Sequence, residues 1–243
     1  GLPMLALALM RGEQVAKLLG ETRVLLQDRP WGVGLLGFVP EQLRAEQVAV
    51  INEVKPAFAL IAGGRPDQAA EFEKRGIATY LHAPAPQLLT MFIEQGARRF
   101  IFEGRECGGH VGPLASFVLW ERMIDVLLNE VPAAACKDMH ILFAGGIHDA
   151  RSSAMVASMA APLAKRGIRI GVLMGTAYLF TEQIVSSGTV VKGFQDQAIS
   201  CERTINLETG PGHASRCSVT PFAHEFFATR RRMLADGESA EAI

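Results

Sequence analysis

The sequence predicts an α/β domain built as a (β/α)8 barrel with one strand short, and three observations carry that expectation. Seven short apolar runs alternate with segments of helical periodicity along the chain. Strict alternation of this kind gives a parallel sheet with right-handed crossovers. The chain has 243 residues, 49% of them hydrophobic, which suits one barrel domain of about 250 residues. Finally, Gly63-Gly64, Gly108-Gly109, Gly145-Gly146 and Gly175 each fall just past the carboxyl end of an apolar run. A barrel gathers every such end around one mouth, whereas an open doubly wound sheet gathers only those at its switch point.

Taken in order, residues 3–9 (PMLALAL) form a continuous apolar run, as a strand buried on both faces does. Helical spacing over 13–26 is broken by Asp28-Arg29-Pro30, and residues 31–38 (WGVGLLGF) form the next strand. Pro40-Glu41 opens a helix with Leu43, Val48, Val50 and Ile51 on its apolar positions. Residues 57–62 are a strand closed by Gly63-Gly64-Arg65-Pro66, and the helix 67–75 stops at Gly76. A strand over 78–81 is closed by His82-Ala83-Pro84-Ala85-Pro86, and the helix 87–94 ends before Gly96. Residues 98–102 form the strand that delivers the loop FEGRECGGHVGP, and a longer connection holds a helix over 117–129. The strand 140–143 ends in Ala144-Gly145-Gly146-Ile147, and the helix 150–166 stops at Gly167. The last strand, 168–174, ends in Gly175-Thr176, with a short helix over 177–186. The tail, 195–221, reads as partly extended with a turn at Thr209-Gly210-Pro211-Gly212, and residues 222–243 carry a helical pattern without a clear cap.

The chain begins without Met and inside a strand. We therefore expect a single barrel domain over 1–243 that is cut at both ends, with its first strand upstream of Gly1 and residues 187–243 as an extension packing on the barrel. A formal net charge of -1 with no long basic run gives a nucleic-acid surface no support. Arg230-Arg231-Arg232 reads as a solvated helix face. The four cysteines, Cys107, Cys136, Cys201 and Cys217, form no C-x-x-C pair and the histidines no H-x-x-x-H pair, so neither a disulfide framework nor a metal site is expected and a reducing cytoplasm is the default location. His140 and His148 bracket one strand and should lie at opposite ends of it. No apolar run approaches the ~20 residues of a membrane span, and the short apolar stretch 2–10 lacks the preceding basic segment of a signal peptide.

Four motifs bear on chemistry. Gly32-Val33-Gly34-Leu35-Leu36-Gly37 matches G-x-G-x-x-G in letters, but the dinucleotide fingerprint needs a strand before it and a helix within it, and these glycines lie inside an apolar run. Such glycines mark close approach of a ligand or of neighbouring backbone. Gly145-Gly146 and Gly175-Thr176 end the last two strands, where barrels bind phosphate through backbone N–H groups and hydroxyls. His110 alone among the histidines sits inside a strand-end glycine loop, and an unperturbed imidazole titrating near ~6.5 can give or take a proton at working pH. Glu103, at the strand end, is placed to face the mouth. Glu106 reads as a solvated loop acid, Cys107 as a small filler, and Trp31, Phe38 and Phe102 as core.

In chain order, EGRECGGHVG (103–112), AGGI (144–147), MGTAYLFTEQ (174–183) and TGPGHASR (209–216) resemble the nitronate monooxygenase (2-nitropropane dioxygenase-like) flavoproteins, a family that also includes FMN-dependent enoyl-acyl-carrier-protein reductases. The likeness runs over most of the chain and is nearest to the versions embedded in polyketide and polyunsaturated fatty acid synthases. It implies an FMN-binding (β/α)8 barrel. Gly145, Gly146, Gly175 and Thr176 would hold the phosphate of the cofactor, and Met174 would also contact the cofactor. Gly108, Gly109 and Glu103 would pass near the flavin, and His110 would be the active-site histidine. Gly34 stands in the third-strand motif, where many members carry Asn, and would also border the cofactor. The implied activities are oxidation of nitronates with O2 or reduction of an enoyl thioester with NAD(P)H as reductant. The corresponding partners are a small-molecule substrate and, for a synthase, an acyl carrier protein or neighbouring domains. A non-catalytic scaffold barrel is the alternative from another class.

Overall fold

Parallel strands linked through helices organise the chain. The computed structural model describes residues 1–210 and 213–239. The first half runs β1 (Met4–Ala6), α1 (Gly12–Leu26), β2 (Gly32–Leu36), α2 (Glu41–Val54), β3 (Phe58–Ala62), α3 (Pro66–Glu73), β4 (Ala78–His82), α4 (Pro86–Glu94) and β5 (Arg99–Glu103). It continues with β6 (Gly109–Val111), α5 (Ser116–Asn129), α6 (Ala133–Cys136), β7 (His140–Ala144), α7 (Ala150–Lys165) and β8 (Arg169–Leu173). A 3-10 turn (Thr176–Phe180), α8 (Glu182–Ser186), α9 (Lys192–Ser200), the hairpin β9 (Thr204–Gly210) and β10 (His213–Ser218), and α10 (Pro221–Ala235) complete it.

Seven strands form one sheet in the order β1-β2-β3-β4-β5-β7-β8, every pair parallel. Each strand thus lies beside the next main strand in sequence, which is a barrel wall and not a doubly wound sheet. The fold is the expected barrel with one strand short: among the described residues, no strand pairs with the outer edge of β1 or of β8.

Side-chain alternation divides the interior in two. Val33 and Leu35, Ile61, Leu81, Phe100 and Phe102, and Ile141 and Phe143 point outward into the sheet–helix core. Their neighbours Leu60, Tyr80, Ile101, Leu142, Ala144 and Leu173 point inward and share one smaller cluster, as the walls of a curled sheet must. Helix α5 shows why the outer layer forms. Leu119, Trp120, Met123, Ile124, Val126 and Leu127 fall on one helical face and are buried. The Trp120 indole N–H donates to Phe102 O at 3.0 Å, so its polar edge is satisfied within the core. Phe143 takes both Trp120 and Phe102 edge-on, with ring centroids 5.7 and 5.6 Å apart.

The structure redraws several expected elements. The helix expected over 177–186 is a 3-10 turn and a separate five-residue helix, parted at Thr181. The tail contributes α9 and a hairpin, and β10 pairs antiparallel with β6. Pro211 and Gly212 of the expected tail turn lie outside the described residues. The last helix is shorter than its pattern: it opens on Thr220, whose hydroxyl accepts from Ala223 N at 3.2 Å, and stops at Ala235 ahead of Gly237 at φ +77. Residues 240–243 lie outside the described residues. No described helix is long and apolar enough to cross a membrane.

Candidate active site

Because all seven strands are parallel, their carboxyl ends share one rim, and the loops beyond them meet there. Gly37 leaves β2 so close to the β3 loop that a Cβ would lie 2.5 Å from Gly63 O. Phe38 follows and is 64% exposed, not core as its apolar character predicts. The turn after β2 carries it off the strand's buried face, and its ring meets the His110 imidazole edge-on at 6.4 Å. His110 itself is exposed, in the middle of β6. Its backbone pairs with Ser215 of β10, so the tail hairpin holds the loop that carries the imidazole.

The loops after β5, β7 and β8 interlock. A Cβ on Gly104 would lie 2.2 Å from Ser116 Cα, and one on Gly145 would lie 2.5 Å from Ser116 Oγ. The Ser116 hydroxyl donates to Gly145 O at 3.2 Å, tying the start of α5 to the β7 loop. Gly145 and Gly146 adopt φ +114 and +76, which only glycine takes without strain. A Cβ on Gly108 would sit 2.8 Å from Thr176 Oγ1, so the loop of His110 touches the loop after β8. At Gly109 and Gly175, by contrast, a Cβ would meet no described residue within 4 Å. These two backbones border open space.

Charge on the rim is paired. His82, ending β4, and Glu103, ending β5, face inward on adjacent strands, with Nδ1 2.7 Å from Oε2. Burial pushes the Glu103 carboxyl upward, but the His82 contact, the Cys107 thiol and the His110 imidazole outweigh it and hold the group below the usual carboxylate range. Burial, then the Glu103 charge, push the Cys107 thiol far up, so Cys107 is a filler and not a nucleophile. Glu106 is not simply solvated. Its Oε2 accepts from Ser116 N at 2.6 Å, capping the start of α5. Burial raises the Glu106 carboxyl, and the Ser116 bonds, with Arg216 nearby, more than offset it, so its net shift is downward.

A carboxyl depressed in the folded state contributes stability above its unfolded value of ~4.3 that is lost as pH falls through the folded value. Thermal melts from pH 7 to pH 3 should therefore show Glu106→Gln melting below wild type at pH 7, with the gap closing below about pH 4. A gap that persists at pH 3 would rule out the carboxylate as the source.

The structure thus brings Glu103, Gly108, Gly109, His110, Gly145, Gly146, Gly175 and Thr176 to one rim. Met174 adjoins them, but its side chain packs on the sheet–helix core. Gly34 lies mid-strand, where a Cβ would be 3.3 Å from Leu60 and 3.8 Å from Ala6 Cα, so its nearest neighbours are adjacent strands. His148 is past the far end of β7 from His140, as expected, with Nδ1 2.9 Å from Gly146 O. Sequence reasoning missed His82. The strand's alternation held the signal, since Tyr80 and His82 share the inward face. Trp31 and Phe102 are core as expected.

Comparison with known proteins places these features in context. A family model described as nitronate monooxygenase matches residues 25–208. A curated protein of Rhodococcus jostii (strain RHA1), (3aS,4S,5R,7aS)-5-hydroxy-7a-methyl-1-oxo-octahydro-1H-indene-4-carboxyl-CoA dehydrogenase, is 25% identical over 205 residues, covering 82% of this chain and 52% of its own length. The chain therefore spans about half the length of that relative. Among solved structures, FabK from Thermotoga maritima superposes with a TM-score of 0.71 at 23% identity, over 89% of this chain and 62% of its own. Nitroalkane oxidase from Streptomyces ansochromogenes gives 0.64 at 17% identity, over 91% and 70%. These two similarities speak for the fold alone.

Proposed function

The chain belongs to the nitronate monooxygenase family, and from that premise we propose that it is an FMN-dependent oxidoreductase that oxidises nitronates with O2. The observation that carries the reading is the contact between the loop of His110 and the loop after β8. A Cβ on Gly108 would fall 2.8 Å from Thr176 Oγ1, so the imidazole and the glycine-threonine turn border one mouth.

The residues fit the cofactor. Gly145 and Gly146 sit in backbone conformations open only to glycine, and Gly175 and Gly109 border open space where a side chain would intrude. Backbone N–H groups of Gly145, Gly146 and Gly175 and the Thr176 hydroxyl would hold the phosphate, as the last loops of barrels do. Gly108 and Gly109 would let the flavin ring approach the backbone. When bound, FMN would supply the electron transfer, taking electrons from substrate or reductant and yielding them to the acceptor.

The protein's own part is position and proton transfer. His110 is exposed at the mouth with its backbone fixed in β6, so its imidazole is open to a substrate lying over the mouth and can move one proton there. The Phe38 ring, edge-on to His110, gives the mouth an apolar wall.

A second reading is reduction of an enoyl thioester by NAD(P)H through the same site, with His110 delivering the proton to carbon. It is favoured by the curated relative, whose name makes it a dehydrogenase of a carboxyl-CoA thioester. In that case a coenzyme A or acyl-carrier thioester would be the partner.

Reconstitution of the chain with FMN tests all of this. The expected product is yellow, with a visible spectrum bleached anaerobically by a nitronate. Bleaching by NADH or NADPH and not by nitronate would move the assignment to the thioester reading. Failure to bind FMN would leave a scaffold barrel.

A further inference from the structure

We propose that His82 is a positioning residue for the active-site turn: through Nδ1 it anchors the Glu103 carboxylate, and Glu103 in turn fixes residues 104–111 against the barrel wall.

The contact runs between the last residues of adjacent parallel strands. Leu81 is in register with Phe100 and His82 with Ile101, and Glu103 lies two residues further on the same inward face as Ile101. The pair is mostly covered, with side-chain exposures of 15% and 25%. The carboxylate also interacts with the Cys107 thiol, and Cys107 Sγ lies 3.4 Å from His110 O. A continuous set of contacts therefore leads from β4 through Glu103 and Cys107 to the backbone of His110.

The other nitrogen explains why the imidazole is there for Nδ1. Nε2 of His82 is buried and, among the described residues, has no hydrogen-bond partner. A buried polar atom left unmet lowers stability, and an apolar side chain of similar size would avoid that. Packing alone therefore does not account for a histidine. With Nδ1 2.7 Å from an anionic carboxylate, the proton sits on Nδ1, and the charge-assisted bond to Glu103 is what the residue contributes.

For turnover the proposal rests on the reading of His110 as the proton-transfer group, but its main test does not. Amide hydrogen exchange is measured on the full chain without cofactor, in wild type, His82→Leu and His82→Asn. Leu fills the space without a donor, and Asn keeps a donor near the Nδ1 position. His82→Leu should speed exchange over residues 104–111 by about tenfold or more while β3 and β7 keep wild-type rates, as a local opening would. His82→Asn should restore slow exchange. Unchanged exchange in His82→Leu, acceleration spread equally over all strands, or an Asn variant no better than Leu would each overturn the proposal. If His82→Leu fails to fold, Glu103→Leu removes the acceptor and so breaks the same contact from the other side, and it must give the same local acceleration.

In FMN-loaded protein, kcat should fall about tenfold in His82→Leu with KM and flavin content unchanged, and recover in His82→Asn. A wild-type protein that binds flavin but turns over neither a nitronate nor an enoyl thioester would sink the functional reading. The exchange result would still decide the role of His82.

Discussion

Replacing His110 by alanine should slow turnover by about 10²-fold or more, the range usual for a lost acid–base group, while flavin content and melting temperature stay at wild-type values. The separation of the two effects follows from geometry. The imidazole is exposed at the rim, and among the described residues its ring contact is the edge-on approach of Phe38, itself 64% exposed. Truncation therefore opens no core cavity, and surface changes of this kind stay within about 0.5 kcal/mol. The backbone remains held from two sides, by β10 at Ser215 and by the Cys107 thiol. Against that, a 10²-fold loss corresponds to about 2.7 kcal/mol of transition-state stabilisation, so the measurement discriminates strongly. Steady-state rates and flavin absorbance on the same preparation decide it. Unchanged turnover in a flavin-loaded His110→Ala protein would remove the imidazole from the chemistry.

The barrel wall was legible because its signals are local. Apolar runs such as residues 57–62, between Pro56 and Gly63, and 100–102, between Gly96 and Gly104, are bounded by turn residues, and each needs only its own composition to announce a strand. The rim was legible for a related reason: glycines at strand ends mark backbone that must turn sharply or pack closely, and Gly104, Gly108 and Gly145 do so. What escaped depends on partners distant in sequence. Gly109, His110 and Val111 become a strand only because β10 lies alongside, and Arg216 of that strand reaches Arg105 O across 111 residues of chain. Strand formation of that kind is set by context and not by propensity.

Two misreadings have the same root. Phe38 reads as core by composition, yet the tight Gly37–Gly63 approach ends β2 at Leu36 and leaves the ring at the mouth. Glu106 reads as a solvated acid until α5 starts beside it and offers the Ser116 N–H. His82 is a subtler case. Its neighbours Ala83-Pro84-Ala85-Pro86 read as plain loop, and only its alternation with Tyr80 directs it to the interior, where Glu103 waits on the next strand.

Gly104→Ala should be among the most destabilising single-methyl additions available in this chain, because the methyl group has nowhere to go. An ideal Cβ there lies 2.1 Å from Ser116 Oγ and 2.2 Å from Ser116 Cα. A hydroxyl can rotate away, but a Cα cannot, so the start of α5 has to move. That start is held by the Glu106 cap and by the Ser116 bond to Gly145 O, and its helix buries Leu119, Trp120 and Met123. Overpacking of this kind costs about 1–3 kcal/mol and sometimes more, and breaking either hydrogen bond inside a covered site adds about 1–3 kcal/mol. At roughly 2–4 °C per kcal/mol for a domain of this size, the resulting loss of about 2–6 kcal/mol should lower the melting temperature by about 4–24 °C. Flavin affinity should fall with it, since the same shift disturbs Gly145. Gly175→Ala provides the contrast: its φ of −113 suits any residue and its Cβ would meet nothing within 4 Å, so its melt should match wild type even though the methyl group enters the proposed phosphate site. A Gly104→Ala protein melting within about 2 °C of wild type would mean that α5 slides freely against β5. The interlocked rim on which the placement of His110 depends would then not be rigid.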